Sequence, residues 1–257
     1  MKEKRKMNER LKDSYVIDFY EKEALKYDEK RWNTKIGEYT DFLHKQIMLS
    51  MHKDWNNENI LEIGMGTGRF TQVLAERCAS VSAIDTSQSM IEITTNKLDK
   101  KGLKDNVKLY NASAFELPFK NSNFDGCISI NVFSHLQNYE RVIMEISRIL
   151  KPGGFFIVNF PNLLSYFLPY GILVNLNRKS LRRNVFTHWY NLFAIRDIYF
   201  KSGLKIVEIQ GQAHLPAIRN SEVFYKVIKL INNVSRTSIL KYICPVIFVK
   251  GIKKEEP

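Results

Sequence analysis

The stretch ILEIGMGTGRF, residues 60–70, constrains this chain more than any other. A short apolar run, 60–63, reads as a buried strand. Gly64, Gly66 and Gly68 follow at alternate positions, and residues 70–77 then have the pattern of a helix. Glycine suits such a turn because the backbone must enter positive φ and approach a ligand with no side chain in the way. The helix that opens behind it also starts with unpaired N–H donors. The spacing is GxGxG. A dinucleotide-binding turn places its third glycine one residue later, where this chain has Arg69, which argues against a nicotinamide ligand.

The alternation continues on both sides of this turn. Residues 81–84 read as a second strand, 88–99 as a helix, 107–110 as a strand and 124–130 as another. Val142, Ile143, Ile146, Ile149 and Leu150 recur at helical intervals, and Lys151-Pro152-Gly153-Gly154 is expected to stop that helix before a strand at 155–160. Leu192, Ile195 and Tyr199 mark a further helix ended by Gly203, followed by a strand at 204–209, a helix around 223–231 and a last strand within the apolar run 243–249. Strands and helices taking turns imply an α/β fold with a mostly parallel sheet covered on both faces. The expected organisation is a helical N-terminal cap at 1–55, a core at 56–160, an insertion at 161–191 that covers a substrate, and the rest of the core at 192–257. In the cap, Tyr15, Phe19, Tyr20, Ala24 and Tyr27 share a helical spacing.

Asp85 ends the second strand about twenty residues beyond Gly64, the separation at which a carboxylate can accept hydrogen bonds from both hydroxyls of a ribose. Capping the next helix is its other reading, although Thr86 and Ser87 can take that role.

In order, ILEIGMGTG, VSAIDTSQSMI, ELPF before NFDGCISI, and LKPGG resemble the signature of class I S-adenosylmethionine-dependent methyltransferases, over about residues 56–160. In style they are similar to the small-molecule branch that includes the ubiquinone and menaquinone biosynthesis enzymes. The resemblance implies a Rossmann-like seven-stranded sheet, with the insertion between strands 5 and 6. It also implies S-adenosylmethionine as cofactor and S-adenosylhomocysteine as product. Gly64 and Gly66 would border the methionine part of the cofactor and Asp85 the ribose. Met90 would pack on adenine, Ser113, Ala114 and Phe115 would line its edge, and Asn131 would face the sulfonium. Glu62, Gly68 and Thr86 are counted with these cofactor-binding residues. Ser113 stands where the family usually has an aspartate that bonds the adenine amino group, so either the backbone of Ala114 supplies most of that recognition or the register is shifted by one residue. Tyr27, in ALKYDEKRW, resembles an N-terminal element that closes over the cofactor; an aromatic on the apolar face of a cap helix is the equal alternative.

Methyl transfer from a sulfonium asks for alignment and exclusion of water more than for a side-chain catalyst. A general base matters only where the acceptor must shed a proton. His135, beyond the fourth strand, is the first candidate, with His188 and Tyr190 in the insertion behind it; a packed loop histidine is the plainer reading of His135. The segment after the fourth strand, Asn131-Val132-Phe133-Ser134, lacks the Asn/Asp-Pro-Pro-aromatic turn that marks amino-directed nucleic-acid methyltransferases. Cys78, Cys127 and Cys244 have neither disulfide nor zinc spacing, so no metal is expected.

The formal charge of +12 calls for an anionic counterpart without choosing one. Aromatic residues across 155–200 favour a small or lipid-like acceptor, and Arg178, Lys179, Arg182 and Arg183 allow it an anionic tail. RNA is the rival acceptor, favoured by charge and opposed by the lack of any recognisable RNA-binding module; a catalytically silent binding protein is the other alternative. Residues 155–176 have no charge and enough length to span a bilayer, but Pro161 and Pro169 argue against one continuous helix. The stretch therefore reads as a buried strand followed by a mobile apolar segment, with peripheral membrane contact open to it and no transmembrane segment. No apolar run follows the basic start, so a cytoplasmic protein is expected.

Overall fold

The structure, a computed structural model, describes residues 15–176, 187–213 and 222–255. One seven-stranded sheet organises them: β1 (Asn59–Ile63), β2 (Ser80–Asp85), β3 (Val107–Asn111), β4 (Phe124–Ser129), β5 (Leu150–Pro161), β6 (Leu204–Gln212) and β7 (Val246–Lys253). They lie in the order β3-β2-β1-β4-β5-β7-β6. All neighbours are parallel except β7, which runs antiparallel to both β5 and β6. The strand order reverses direction at β1, between β2 and β4, and such a switch point leaves a crevice at the carboxyl ends of the strands.

Two apolar layers flank the sheet. On one face, Val142, Ile143, Ile146 and Ile149 of the helix Tyr139–Ile149 join Ile195 and Tyr199 of the helix Leu192–Lys201 against Leu61 and Ile63. On the other, Leu43, Ile47 and Met51 of the helix Lys35–Met51 meet Phe70 and Leu74 and pack on Ile60, Ile128 and Ile157. Successive residues of β1 thus serve opposite layers, as pleating requires. Helix ends follow local chemistry: Ser87 Oγ accepts from Met90 N–H (3.1 Å) at the start of Gln88–Lys101, and Gly102, at φ +65°, closes it in the left-handed region.

Several boundaries differ from the expected ones. The helix does end just before Lys151-Pro152-Gly153-Gly154, at Ile149, but the strand starts at Leu150 rather than 155 and takes that segment in as a bulge, because Leu150 pairs with Phe124 and Phe155 with Gly126. A residue preceding proline disfavours helical φ/ψ, which pulls Lys151 and Leu150 into the strand. The last strand begins at Val246 rather than 243, since Ser238 caps a 3-10 turn over Ile239–Ile243 and Pro245 cannot donate to the ladder. It extends to Lys253 because two flanking strands supply its backbone partners, so ladder pairing rather than apolarity sets its length. The expected mobile segment contains a helix, Leu168–Leu176, that starts after β5 has ended at Pro161. Arg178, Lys179, Arg182 and Arg183 lie outside the described residues. No described helix is long and apolar enough to cross a membrane.

Tyr199 stacks on Phe156 with ring centroids 4.7 Å apart, and its buried hydroxyl has no partner among the described residues. An unmatched buried hydroxyl costs about 1–3 kcal/mol. Tyr199→Phe is therefore expected to hold or raise stability by up to about 1 kcal/mol in urea unfolding; a clear loss would reveal a partner for that oxygen.

Candidate active site

At the switch point a cavity of about 250 Å³ opens between the carboxyl ends of β1, β2 and β4. Gly64 and Gly66 form one wall, with φ of +74° and +52°. A Cβ on Gly64 would stand 2.3 Å from Val132 Cγ2, whereas one on Gly66 would meet nothing within 4 Å, since that residue borders the open space. The first glycine is required by packing, and the second leaves the space beside its Cα open to the cavity.

Asp85 sits across from them. Its carboxylate accepts from Gly66 N–H (2.8 Å) through one oxygen and from Ser87 N–H (3.0 Å) through the other. Burial raises the Asp85 carboxyl above its ordinary value, while the two N–H donors favour the charged form. Thr86, Met90, Ser113, Ala114 and Phe115 line the same cavity, as do Tyr27, Asn131 and His135. Ser113 Oγ accepts from Phe115 N–H (3.2 Å), so its lone pairs shape the local turn. Asn131 holds a positive φ of +64°, and its side chain is gripped by Asn159: Asn131 N–H donates to Asn159 Oδ1 (2.6 Å) and Asn159 Nδ2 donates back to Asn131 Oδ1 (3.1 Å). A non-glycine residue in that region, held by a buried partner, is a common mark of a functional site.

Four of the sequence candidates are not on the cavity wall. Glu62 is buried beneath the turn and accepts from Thr71 Oγ1 (2.6 Å); burial lifts its carboxyl to about 7. Gly68 caps the helix Arg69–Ala75 at φ +78°, and a Cβ there would lie 2.7 Å from Thr94. Tyr190 is 2% exposed and turns its hydroxyl to the carbonyls of Phe133 (2.6 Å) and Leu136 (2.8 Å). His188 packs beside Tyr190 and Tyr139, with its N–H on the Ser134 carbonyl (2.8 Å). Glu62 and Gly68 brace the turn; Tyr190 and His188 brace the loop that carries His135.

The cap contributes more than Tyr27. Val16, Ile17 and Tyr20 also line the cavity. Tyr20 Oη lies 2.7 Å from His135 Nε2, and Arg31 stands 4.8 Å over the Tyr27 ring. Glu21 fastens this segment to the helix behind Asp85, accepting from Ser87 Oγ and Ser89 Oγ (2.5 Å each) and from Ser89 N–H (3.1 Å). Asp28 accepts from Thr67 Oγ1 (2.6 Å) and pairs with Lys97, while Arg69 lies against Trp32 (3.3 Å) and donates to Asp41 (2.7 Å). The helical spacing of Tyr20 in the sequence pointed to an apolar face, but only the docking of the cap turns that face into a cavity wall. Among the described residues no cluster suited to a metal ion occurs.

A glycine turn, a strand-end carboxylate and an apolar slot thus meet at the switch point of a seven-stranded sheet of the Rossmann-like class. Residues 61–158 match the methyltransferase domain family. Demethylmenaquinone methyltransferase of Symbiobacterium thermophilum is 29% identical over 167 residues, 63% of this chain and 66% of that protein. The ubiquinone/menaquinone biosynthesis C-methyltransferase of Brucella anthropi is 30% identical over 59% of each chain. A sterol 4-C-methyltransferase of Caenorhabditis elegans is 32% identical over 48% of this chain and 37% of its own. The chain thus spans 37–66% of the length of these relatives. Among solved structures, an S-adenosylmethionine-dependent methyltransferase from Mesorhizobium loti aligns with a TM-score of 0.60 at 15% identity, over 80% of this chain and 96% of that one. The [4+2]-cyclase SpnF aligns at 0.59 and 15%, over 84% and 82%. The fold is shared by different chemistries, so the site must carry the functional argument.

Burial first, and the charge of Arg31 second, hold the His135 imidazole at about 4 against an ordinary 6.5. The unfolded chain therefore takes up a proton near pH 6.5 that the folded site refuses until about pH 4, so this group withdraws stability as pH falls through that window. The integrated effect is about 3 kcal/mol. Urea unfolding at pH 7 and pH 4.5 should show His135→Gln losing less stability on acidification than the parent; parallel losses would contradict the buried neutral imidazole.

Proposed function

We propose that the chain is an S-adenosylmethionine-dependent methyltransferase acting on an oxygen, nitrogen or carbon of a small or lipid-like molecule, and that it works in the cytoplasm. The observation that carries this reading is the Asp85 carboxylate hydrogen-bonded to Gly66 N–H inside one cavity with Met90, Ser113 and Phe115. The residues present fit the cofactor: a carboxylate for ribose hydroxyls, an open side at Gly66 for the amino-acid portion, and an apolar slot for a purine. His135 adds a buried Nδ1 with no partner among the described residues, an atom that a bound ligand would satisfy.

When bound, S-adenosylmethionine supplies an electrophilic methyl on its sulfonium; a nucleophilic atom of the acceptor takes the methyl as the carbon–sulfur bond breaks, leaving S-adenosylhomocysteine. The protein's part is alignment and dryness. Gly64, Gly66, Asp85 and Thr86 hold one end of the cavity, and Asn131, fixed by Asn159, orients the other. Tyr20 and Tyr27 close it from the cap side and exclude water. His135 is a weak base at about 4 and serves as a neutral hydrogen-bonding group positioned by Tyr20. Tyr190 and His188 support this loop from behind. The names of the quinone and sterol relatives favour an apolar acceptor over RNA.

Incubation of the full chain with methyl-labelled S-adenosylmethionine and separate naphthoquinol, sterol and tRNA acceptors tests this. Label is expected in the organic phase with one of the apolar acceptors; label confined to nucleosides from tRNA would replace this reading with RNA methylation.

A further inference from the structure

The described surface beyond the cavity carries a large apolar face. Leu173 and Leu176, on the helix Leu168–Leu176, are 60% and 78% exposed, and Ile239, on the 3-10 turn Ile239–Ile243, is 78% exposed. Tyr166, Tyr242 and Ile243, in the same two segments, are exposed as well. The two segments are laced together: Tyr166 N–H donates to the Ile243 carbonyl (3.3 Å), and Asn162 Nδ2 donates to the carbonyls of Tyr242 (2.8 Å) and Cys244 (3.0 Å). Single exposed apolar side chains are ordinary, but a cluster drawn from two bonded segments signals an interaction surface.

Charge selects the occupant. Among the described residues of 155–176 and 222–243 the cations are Lys226, Lys229, Arg236 and Lys241, and the one carboxylate is Glu222, at the start of the helix Glu222–Ser235. Lys226, Lys229 and Lys241 form no ion pair among the described residues. A protein partner face needs no such excess of cations, and a nucleic acid gains little from exposed leucine and isoleucine. Apolar side chains mixed with cations in excess of carboxylates match a bilayer whose headgroups are negative.

Topology places this face usefully. Pro161, the end of β5, pairs with Val246, the start of β7. Residues 162–176 and 239–245 therefore leave the sheet at the carboxyl edge of the parallel strands, the edge at which Gly64 and Asn131 border the cavity. We propose that the apolar face built from residues 164–176 and 239–243 docks the protein on an anionic lipid bilayer. The inference stands apart from the methyl-transfer reading, because docking is measured without turnover.

Vesicle flotation of the full chain tests it, using phosphatidylcholine alone and phosphatidylcholine with added phosphatidylglycerol. The anionic vesicles should bind at least ~10-fold better, and added salt should narrow the gap. Leu173→Glu with Leu176→Glu should weaken binding ~10-fold or more, and Lys229→Glu with Lys241→Glu should abolish the preference for phosphatidylglycerol. All variants change exposed residues, and an unaltered circular-dichroism melt confirms that they fold. Equal flotation of the leucine variant and the parent would overturn the proposal. So would a dimer dissociated by the leucine changes with no vesicle binding, or salt-sensitive capture of tRNA with none of vesicles.

Discussion

The carboxylate of Asp85, held between the N–H groups of Gly66 and Ser87, is the interaction on which the rest of the site depends. It joins the ends of β1 and β2, fixes the glycine turn against the helix Gln88–Lys101, and sets a negatively charged acceptor on the wall of the cavity. Each surrounding feature serves that geometry. Val132 packs where a side chain on Gly64 would be, and Thr94 packs where one on Gly68 would be. Glu62 and Thr71 tie the strand before the turn to the helix after it. A buried carboxylate persists only when hydrogen bonds replace lost hydration, and here the backbone supplies them.

The cap follows from the same need. A crevice at a switch point is open to water, and chemistry that depends on alignment gains from covering it. Tyr20 and Tyr27 cover this one, and the covering is secured by polar latches rather than by a continuous apolar interface. Glu21 sits on the N-terminus of the helix Gln88–Lys101, and Asp28 on Thr67 and Lys97. Hydrogen bonds of this kind, partly solvated, are individually modest and can be exchanged for water.

Much of this was legible in the sequence because the signals are local. The GxGxG turn, Asp85 at the end of its strand and the helical run from Val142 to Ile149 depend on neighbours within a few residues, and each stands where its pattern indicates. What failed required tertiary knowledge. Tyr190 reads as a reactive group in a loop, yet the bridge Asn162 to Tyr190 brings it into the core, where two carbonyls take up its hydroxyl. Glu62 is counted with the cofactor-binding residues in the sequence, but pleating directs its side chain to Thr71. Strand β7 outruns its apolar stretch because two neighbours pair with it. Tyr20 shows only helical spacing until the cap is docked on His135.

The central claim is that Asp85 and the glycine turn jointly grip the nucleoside of a sulfonium cofactor. Calorimetric titration of S-adenosylhomocysteine into the full chain and into Asp85→Ala tests it most directly. Losing hydrogen bonds to a charged group costs about 1.5–3 kcal/mol, so the variant should bind roughly 10- to 100-fold more weakly. Equal Kd values for the two proteins, or no binding by the parent, would contradict it.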